Sequence, residues 1–466
     1  MIEKLKPYPE YEESGLPWIG KIPEHWKKRR TKFLFWERVQ KGFPDEPLLA
    51  ATQSRGVIRK DEYGSRTVTA MKDLHLLKLV EHGDYVISLR SFEGGIEIAH
   101  SRGIISPAYT VLAPKKEVNQ GYYTHFFKSP DFIKSLTLFV TGIREGQNID
   151  YERLSRAYLP LPPPDEQAAI VRFLNWSNGQ LEKSIRAKRR IITLLNEQKQ
   201  VIIHRAVTRG LDPSIPLKPS GISWLGDIPE HWEIRRLRQL VKINPSKSES
   251  NALYQNEDVT FLPMEKVGSD GSIDSSLIVK AITLWNGFTY FQRGDVIVAK
   301  ITPCFENGKG SFLEMLPTLA GFGSTEFHVL RPGKFLLGAY LRMITSSKEF
   351  LANGINSMTG SAGQQRVPSN FIKNYPIALP TIDEQFIILD TVGSKISEID
   401  NAISFNEREI ELLCEYRTRL IADVVTGKLD VREAAANLPD EAVIDMPESD
   451  NVEALEDEPF EEGALV

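Results

Sequence analysis

The chain has 466 residues, of which 41% are hydrophobic and 26% are charged, a composition typical of a soluble globular protein with two or three domains. No stretch approaches about 18 uninterrupted apolar residues, and the first residues lack the apolar centre of a signal peptide. The sequence therefore predicts neither a membrane span nor secretion. Cys304 and Cys414 show no metal-ligand spacing, so we expect a reduced, cytoplasmic protein.

The net charge of -5 conceals an uneven distribution. Between Glu433 and Val466 there are 12 acidic residues and no Lys or Arg, so residues 1–432 carry +7 once those 12 negative charges are set aside. A basic body favours an anionic partner such as nucleic acid. We expect the acidic tail, residues 433–466, to be disordered, with a role in solubility or in competition with DNA for the basic surface.

Two motifs occur twice in the same order. Residues 18–26 (WIGKIPEHW) recur as residues 224–232 (WLGDIPEHW), and residues 161–167 (LPPPDEQ) recur as residues 379–385 (LPTIDEQ). This period is far too long for a solenoid and matches whole domains. The repeat predicts two similar domains that act on two similar targets or on two halves of one target.

Each predicted domain is rich in short β-prone runs broken by Gly and Pro. Three pairs of segments show the shared frame: 84–88 with 295–299, 92–95 with 305–310, and 141–147 with 359–365. Most other positions differ between the two copies. An equal frame with unequal content is what two recognition modules with different targets require.

The segments that follow the two domains predict long helices. Residues 165–212 align with residues 383–430 at a constant offset of 218, without insertion or deletion. Mostly apolar residues recur there at alternating spacings of 3 and 4 over five heptads, which predicts a coiled coil with helices about 65 Å long. The seam positions are Val171, Leu174, Asn178, Leu181, Ile185, Lys188, Ile192, Leu195, Lys199, Ile202 and Ala206 in the first helix, and Leu389, Val392, Ile396, Ile399, Ile403, Asn406, Ile410, Leu413, Arg417, Leu420 and Val424 in the second.

Lys188 and Asn406 are equivalent polar seam positions, and in an antiparallel pair we expect them to meet near the centre and fix the register. The predicted fold class is α+β: two similar α/β domains separated by a long antiparallel two-helix coiled coil, with an internal pseudo-two-fold repeat. The predicted boundaries are 1–164 and 213–382 for the domains, 165–212 and 383–432 for the helical regions, and 433–466 for the tail.

No catalytic machinery is recognisable. Residues 15–21 approach a phosphate-binding loop, but Ile22 replaces the required Ser or Thr and the second copy has Asp227 in place of Lys21. No glycine-rich dinucleotide or adenosylmethionine motif follows a predicted strand. We therefore expect no catalytic residue, no metal and no cofactor in this chain.

The repeated His and Glu residues are best interpreted as structural. His25 and His231 each stand between Glu and Trp without metal-ligand spacing, so we expect them to close a turn beside a packed Trp. Glu166 and Glu384 are expected to be first-turn carboxylates, favoured there by the helix dipole.

The remaining candidates are basic and polar loop residues that could bind DNA, because Arg and Gln pair with guanine and adenine edges while Lys and Ser hold phosphates. For each one alone, a solvated surface position is the competing interpretation. The candidates are Arg55, Arg59, Lys60, Arg66, Arg90, Ser91, Arg102, Arg144, Gln147 and Asn148 in the first copy, and Arg293, Lys300, Thr302, Asn307, Lys309, Gln364, Gln365 and Arg366 in the second.

With these motifs together, the chain resembles the specificity subunit of Type I restriction-modification systems over residues 1–432. The resemblance rests on two variable domains, each followed by a long helix that opens with LPPPDEQ or LPTIDEQ, and on several further matches. These matches are the duplicated Trp motif, SFEGG at 91–95, SPAYTVL at 106–112 and STEF at 324–327. The acidic tail falls outside the family pattern.

The resemblance implies two target recognition domains, each reading one half of a split sequence in double-stranded DNA, with the helices setting the spacer. It also implies two adenine-N6 methyltransferase subunits and restriction-translocase subunits as partners, which would carry adenosylmethionine, ATP and Mg²⁺. It does not transfer base-contacting residues, because the family's members differ in those loops. Two alternatives stay open: a standalone enzyme such as a nuclease, and a two-domain protein-binding scaffold without DNA specificity.

Overall fold

The computed structural model describes residues 5–63, 73–89, 91–141, 148–249, 257–361 and 363–439. The chain divides into two compact units. Unit 1 comprises Met1–Ile185 and Glu411–Val466, and unit 2 comprises Arg186–Ile410. Within the described ranges, the helices are too short or too polar to cross a membrane.

The first half of the chain contributes short strands and helices. The strands are β1 (Tyr11–Leu16), β2 (Gly20–Pro23), β3 (Lys27–Arg30), β4 (Phe35–Glu37), β5 (Leu49–Thr52), β6 (Gly56–Arg59), β7 (Lys78–Val80), β8 (Tyr85–Ile87), β9 (Glu97–Ile98), β10 (Gly103–Ile105), β11 (Thr110–Pro114), β12 (Val140–Thr141), β13 (Asn148–Ile149) and β14 (Tyr158–Leu161). The helices are α1 (Thr31–Leu34), α2 (Ser91–Gly94), α3 (Gln120–Phe127), α4 (Pro130–Leu136), α5 (Tyr151–Arg156) and the long α6 (Pro164–Arg209).

The centre of unit 1 is an antiparallel sheet of order β4-β11-β8-β9. All three residues of β8 are buried, as expected for an apolar run covered on both faces. Helix α3 packs against this sheet: Asn119 caps it by accepting a hydrogen bond from the Tyr122 amide, and its aromatic side chains point inward. The ring of Phe127 lies 5.1 Å from that of Tyr85, edge to face.

The second half repeats this pattern. The strands are β15 (Leu217–Pro219), β16 (Asp227–Pro229), β17 (Glu233–Arg236), β18 (Val241–Ile243), β19 (Asp258–Leu262), β20 (Ile278–Lys280), β21 (Thr289–Gln292), β22 (Val296–Ala299), β23 (Gly310–Phe312), β24 (Ala320–Gly323), β25 (Phe327–Pro332) and β26 (Pro376–Leu379). The helices are α7 (Ala281–Leu284), α8 (Gly338–Thr345), α9 (Lys348–Asn356), α10 (Ser369–Asn374), the long α11 (Ile382–Val425) and α12 (Arg432–Ala436).

Unit 2 has a sheet of order β18-β25-β22-β23, which matches the unit 1 sheet strand for strand. In both units a two-stranded sheet joins the strand after the Trp motif to the strand before the long helix: β3 with β14 and β17 with β26. Unit 2 adds a second four-stranded sheet of order β20-β19-β24-β21, in which β19 and β24 run parallel. The frame is therefore shared, and additions to it differ.

The two long helices pair antiparallel within each unit. In unit 2, Lys188 Nζ lies 2.5 Å from the Glu409 carboxylate and Lys199 Nζ lies 2.5 Å from that of Asp400, so the partner number falls as the α6 number rises. In unit 1, Arg417 Nη1 lies 3.2 Å from the Glu182 carboxylate. Every predicted seam position is buried or half-buried, which confirms the coiled-coil prediction.

The predicted contact between Lys188 and Asn406 is wrong. Lys188 donates its hydrogen bond to Glu409, while Asn406 Nδ2 donates to the Ala402 carbonyl of its own helix, 2.8 Å away. The register places the partner of Lys188 about one helical turn beyond Asn406. The two residues are therefore equivalent in the sequence repeat but do not face each other in the coiled coil.

The segment that follows α11 lies beside the first described residues of unit 1. The Asp430 amide donates to the Lys6 carbonyl at 2.8 Å, and the Arg432 guanidinium lies 5.2 Å from the centre of the Tyr8 ring. The predicted disordered tail starts too early, because α12 covers residues 432–436 and packs Ala435 into the core of unit 1, and Leu438 after the helix is also buried. Apolar contact explains this difference, because these two apolar residues precede most of the acidic residues of the tail. Residues 440–466 lie outside the described ranges.

Candidate nucleic-acid interface

The first repeated feature of the site is a carboxylate at the start of α6. Glu166 is buried, and it accepts hydrogen bonds from Trp26 Nε1 at 2.9 Å and from the Tyr8 hydroxyl. His25 Nε2 lies 2.8 Å from its other oxygen. The Trp motif and the Asp-Glu-Gln motif, which we interpreted separately from the sequence, therefore meet in one cluster.

Unit 2 builds the same cluster around Glu384. His231 Nε2 lies 2.7 Å from Oε1, and Trp232 Nε1 donates to the same oxygen at 3.2 Å. The Thr381 amide and hydroxyl donate to Oε2 at 3.0 and 2.9 Å. Burial by itself raises the pKa of Glu384, but the hydrogen bonds of His231 and its neighbours outweigh burial and hold the pKa at about 2. This carboxylate is an anchor that stays ionised.

The glutamine of each Asp-Glu-Gln motif fixes a loop from earlier in the chain, the one before α3 in unit 1 and the one before α8 in unit 2. Gln167 accepts from the Asn119 amide at 3.0 Å and donates to the Pro162 carbonyl at 2.9 Å. Gln385 accepts from the Leu337 amide at 2.9 Å in the same way. Each long helix thus holds its unit through two neighbouring side chains, which fixes the sheet relative to the helix end.

A buried aspartate precedes the central strand of each sheet. Asp84 binds Arg38 through both oxygens, at 2.7 and 3.2 Å, and Asp295 binds Arg331 at 2.7 and 2.8 Å. Arg38 follows β4 whereas Arg331 lies on β25. The arginine that neutralises the buried aspartate therefore comes from a different strand in each unit. The opposite end of each central strand opens into a loop with predicted DNA-binding residues.

In unit 2 the structure brings these residues together. The Thr302 amide donates to the Gln365 carbonyl at 3.0 Å, and the Gln365 amide donates to Thr302 Oγ1 at 3.2 Å. Ile301 and Arg366 form an isolated antiparallel bridge. Residues 300–309 and 363–366, distant in sequence, therefore form one surface at the end of β22.

Charge on this surface is partly paired. Arg366 contacts the Glu326 carboxylate with Nη2 at 2.8 Å, and this hydrogen bond lowers the pKa of Glu326 and raises that of Arg366. Gln364 and Asn307 are exposed, and Lys309 Nζ lies 3.4 Å from the Met264 carbonyl. Lys300 and Thr302 are half-buried at the base of the same surface, and Arg293 is exposed elsewhere, at the opposite end of β22.

The predicted residues of unit 1 are less concentrated. Ser91 is buried, and its hydroxyl accepts from the Ser88 amide at 2.9 Å, which closes a turn. Arg59 pairs with Asp61, and Arg102 contacts two acidic residues. Arg55 is exposed and donates to a neighbouring carbonyl at 3.3 Å. Lys60 is half-buried and follows β6.

Four predicted residues lie outside the described ranges: Arg66, Arg90, Arg144 and Gln147. Asn148 begins β13, and its backbone pairs with Thr141 of β12. Sequence reasoning missed the convergence of Glu166 with Trp26, although both motifs recur in the same order in each half. That joint recurrence was the available signal.

Comparison with known proteins finds similarity to one family. A family model described as the Type I restriction modification DNA specificity domain matches residues 229–413. The chain is 39% identical over 162 residues to the Type I restriction enzyme EcoAI specificity subunit of Escherichia coli, a match that covers 34% of this chain and 27% of that protein. It is 22% identical over 367 residues to the MjaVIII specificity subunit of Methanocaldococcus jannaschii, covering 76% of this chain and 81% of that one.

A chain in a solved structure of a type I R-M system has the same fold, with a TM-score of 0.62 at 16% identity, covering 88% of this chain and 99% of that one. The alignments at 39% identity span little more than a quarter of the relatives' own length. The family model and the curated relatives agree: residues 229–413 match the Type I restriction modification DNA specificity domain, and the chain is similar to Type I restriction enzyme specificity subunits.

Proposed function

We propose that the chain is the DNA sequence-specificity subunit of a Type I restriction-modification enzyme, and that each unit's domain reads one half of a bipartite target. The observation that carries this proposal is that the two units share one arrangement of strands and helix anchor. Both units have the same sheet order and the same glutamate anchor, yet the loops at the ends of β8 and β22 differ. A shared frame with different polar loops is suited to reading two different half-sites.

The proposal includes the domain boundaries at 1–164 and 213–382 and the helical regions at 165–212 and 383–432. The antiparallel helices would set the distance between the half-sites. Two adenine-N6 methyltransferase subunits and the restriction-translocase subunits would bind this chain in the cytoplasm and would carry out all the chemistry. The chain itself would be noncatalytic, with adenosylmethionine, ATP and Mg²⁺ bound by its partners.

Selection of bound duplexes from a random library tests this function. The full chain, with its methyltransferase partner, should select two short fixed sequences at a constant spacing. Because phosphate contacts release counterions, its affinity should fall at least about tenfold between about 50 and about 200 mM salt. Binding without a bipartite motif or a salt dependence would support the protein-scaffold alternative, and cleavage or methylation of DNA by the purified chain alone would establish the enzyme alternative.

Gln364→Ala tests the proposed surface of unit 2. Gln364 is exposed, so its truncation should leave the melting temperature unchanged. We expect weaker base preference within one half-site, by about fivefold or more, because a lost bidentate amide contact costs about 1–3 kcal/mol of discrimination. Gln198→Ala, at an exposed position of α6 in the same unit, is the matched control. An unchanged motif in the Q364A selection would remove Gln364 from the proposed surface.

A further inference from the structure

Lys128 of unit 1 joins two loops that are far apart in sequence. It follows the last turn of α3, and its Nζ donates to the Gln53 carbonyl at 3.0 Å and to the Gly94 carbonyl at 2.9 Å. The same ammonium contacts the buried carboxylate of Glu97. Hydrogen bonds from a charged donor are stronger than neutral ones, so a single cation fixes the distance between these two backbone segments.

The two joined segments are tightly apposed. Gln53 lies in the turn between β5 and β6, beside the exposed Arg55, and Gly94 ends α2. A Cβ on Gly94 would lie 2.8 Å from Gln53 Cγ, and a Cβ on Gly95 would lie 2.3 Å from a carbonyl oxygen at the end of α3. The Gln53 turn and α2 are therefore in close contact, and the hydrogen bonds of Lys128 hold them together.

Unit 2 contains a corresponding tie made by another residue. Arg342 of α8 donates from Nη2 to the Ser269 carbonyl and to the Gly308 carbonyl, both at 3.3 Å. Ser269 lies in the turn between the bridged residues 267 and 273, and Gly308 lies in the loop that carries Asn307. A second bond, from Ser311 Oγ to the Gly271 carbonyl at 2.6 Å, connects the same two segments.

The two cations do not occupy equivalent positions. The offset of 218 that relates Asn119 to Leu337 in their bonds to the repeated glutamines also relates Lys128 to Ser346. Arg342 instead corresponds to a threonine on α3. The tie is therefore not part of the duplicated frame. Each unit uses a different long basic side chain to join its own pair of loops. This is expected if the contact is adapted to loops whose sequences differ between the units.

We propose that Lys128 and Arg342 are positioning residues that set the half-site preference of their own unit by fixing the spacing of the two segments that each one joins, at least one of which carries candidate DNA-binding residues. This proposal rests on the proposed function, because loops that read no DNA would need no such spacing. Neither residue has to touch DNA. Each acts through the backbone of the loops that it joins.

Lys128→Met in the full chain, assayed with the methyltransferase partner by selection from a random duplex library, tests the unit 1 tie. The side-chain stem is retained and the donor is lost. We expect preference over single-base variants to fall at least about threefold in one half-site, while the other half-site and the spacer stay unchanged. K128R should restore the preference. Lys134→Met, an exposed lysine of α4, removes the same charge without a tie and should change neither half-site.

Arg342→Met provides an independent test in unit 2. It should weaken the opposite half-site from the one that K128M weakens, and R342K should restore it at least in part. Lys373→Met, an exposed lysine of α10, is the matched control. In parallel, amide hydrogen exchange should increase at residues 52–56 and 91–95 in K128M and at residues 267–273 and 303–310 in R342M.

The outcomes separate this proposal from the proposed function. If the wild-type chain selects no bipartite motif, the proposed function fails. If the wild type selects one and both Met variants fold with both half-sites intact, the positioning proposal is overturned. Equal weakening of both half-sites by either variant, or failure of both Met variants to fold, would assign these residues to general stability and would also overturn it.

Discussion

Glu166 and Glu384, in the first turn of each long helix, anchor the Trp motif of their unit through hydrogen bonds with Trp, His and a hydroxyl group. The Trp side chains are almost fully buried, at 2% and 1% exposure for Trp26 and Trp232, so their indole N–H groups need an internal acceptor. The hydroxyl comes from Tyr8 in unit 1 and from Thr381 in unit 2. The sequence shows both motifs but not this meeting, because the two lie more than a hundred residues apart.

Glu384→Gln should destabilise the protein by about 1–3 kcal/mol at neutral pH, because charged hydrogen bonds are replaced by neutral ones. The pKa of Glu384 is lowered from 4.5 to about 2 in the folded state. Its stabilising contribution is therefore complete above pH 4.5 and is lost as the pH falls toward 2. Thermal unfolding of wild type and E384Q should differ at pH 7 and converge in acid.

The matched control for this experiment is Asp390→Asn, which removes an exposed charge from the same helix. It should have little effect at either pH. A melting temperature of E384Q equal to that of the wild type at pH 7 would contradict the anchor role of the carboxylate.

Arg331→Met should destabilise unit 2 by about 3–5 kcal/mol, because it leaves the charge of Asp295 buried without its partner. Asp295 is only 1% exposed, and Arg331 is its bidentate partner. Arg235→Met breaks the exposed pair with Glu233 and should cost less than about 1 kcal/mol. Denaturant unfolding compares the two variants, and similar losses in both would refute a special role for the buried pair.

The long helices are the elements that the sequence predicts best. Their seam follows from the 3 and 4 spacing, which keeps one apolar stripe on one side of a helix over many turns. The exception is the polar pair Lys188 and Asn406. The register depends on the ends of both helices and on ion pairs such as Lys199–Asp400. The heptad pattern of a single helix does not specify these contacts.

Deletion of residues 188–194 together with residues 404–410 should shorten the DNA spacer and leave both half-sites unchanged. These segments face each other in unit 2, since Lys188 pairs with Glu409. One heptad removes about 10 Å of helix, or up to about three base pairs of duplex. Target selection with the double-deletion variant measures the spacer. Deleting only residues 188–194 is the control and should disrupt the register, and altered half-sites in the double deletion would refute the spacing role.

At the scale of the whole molecule, the chain builds two units from one frame. Exchange of residues 27–160 for the corresponding segment of another family member should change one half-site only. This segment begins in β3 and ends in β14, which pair with each other, so the exchange preserves Trp26 and Glu166 in the recipient. Selection on the exchanged chain measures both half-sites. A change in both would contradict independent reading by the two units.

The sequence by itself determined the duplication, the long helices and the family resemblance, because motifs and heptads are local patterns that can be recognised in a single sequence. Only the tertiary structure decided which side chains meet: Glu166 with Trp26, Thr302 with Gln365, and Lys128 with two loop carbonyls. These contacts join residues that are distant in sequence, and their geometry depends on how the sheet, the loops and the helix ends pack. Packing is a property of the whole unit, so no local pattern specifies it.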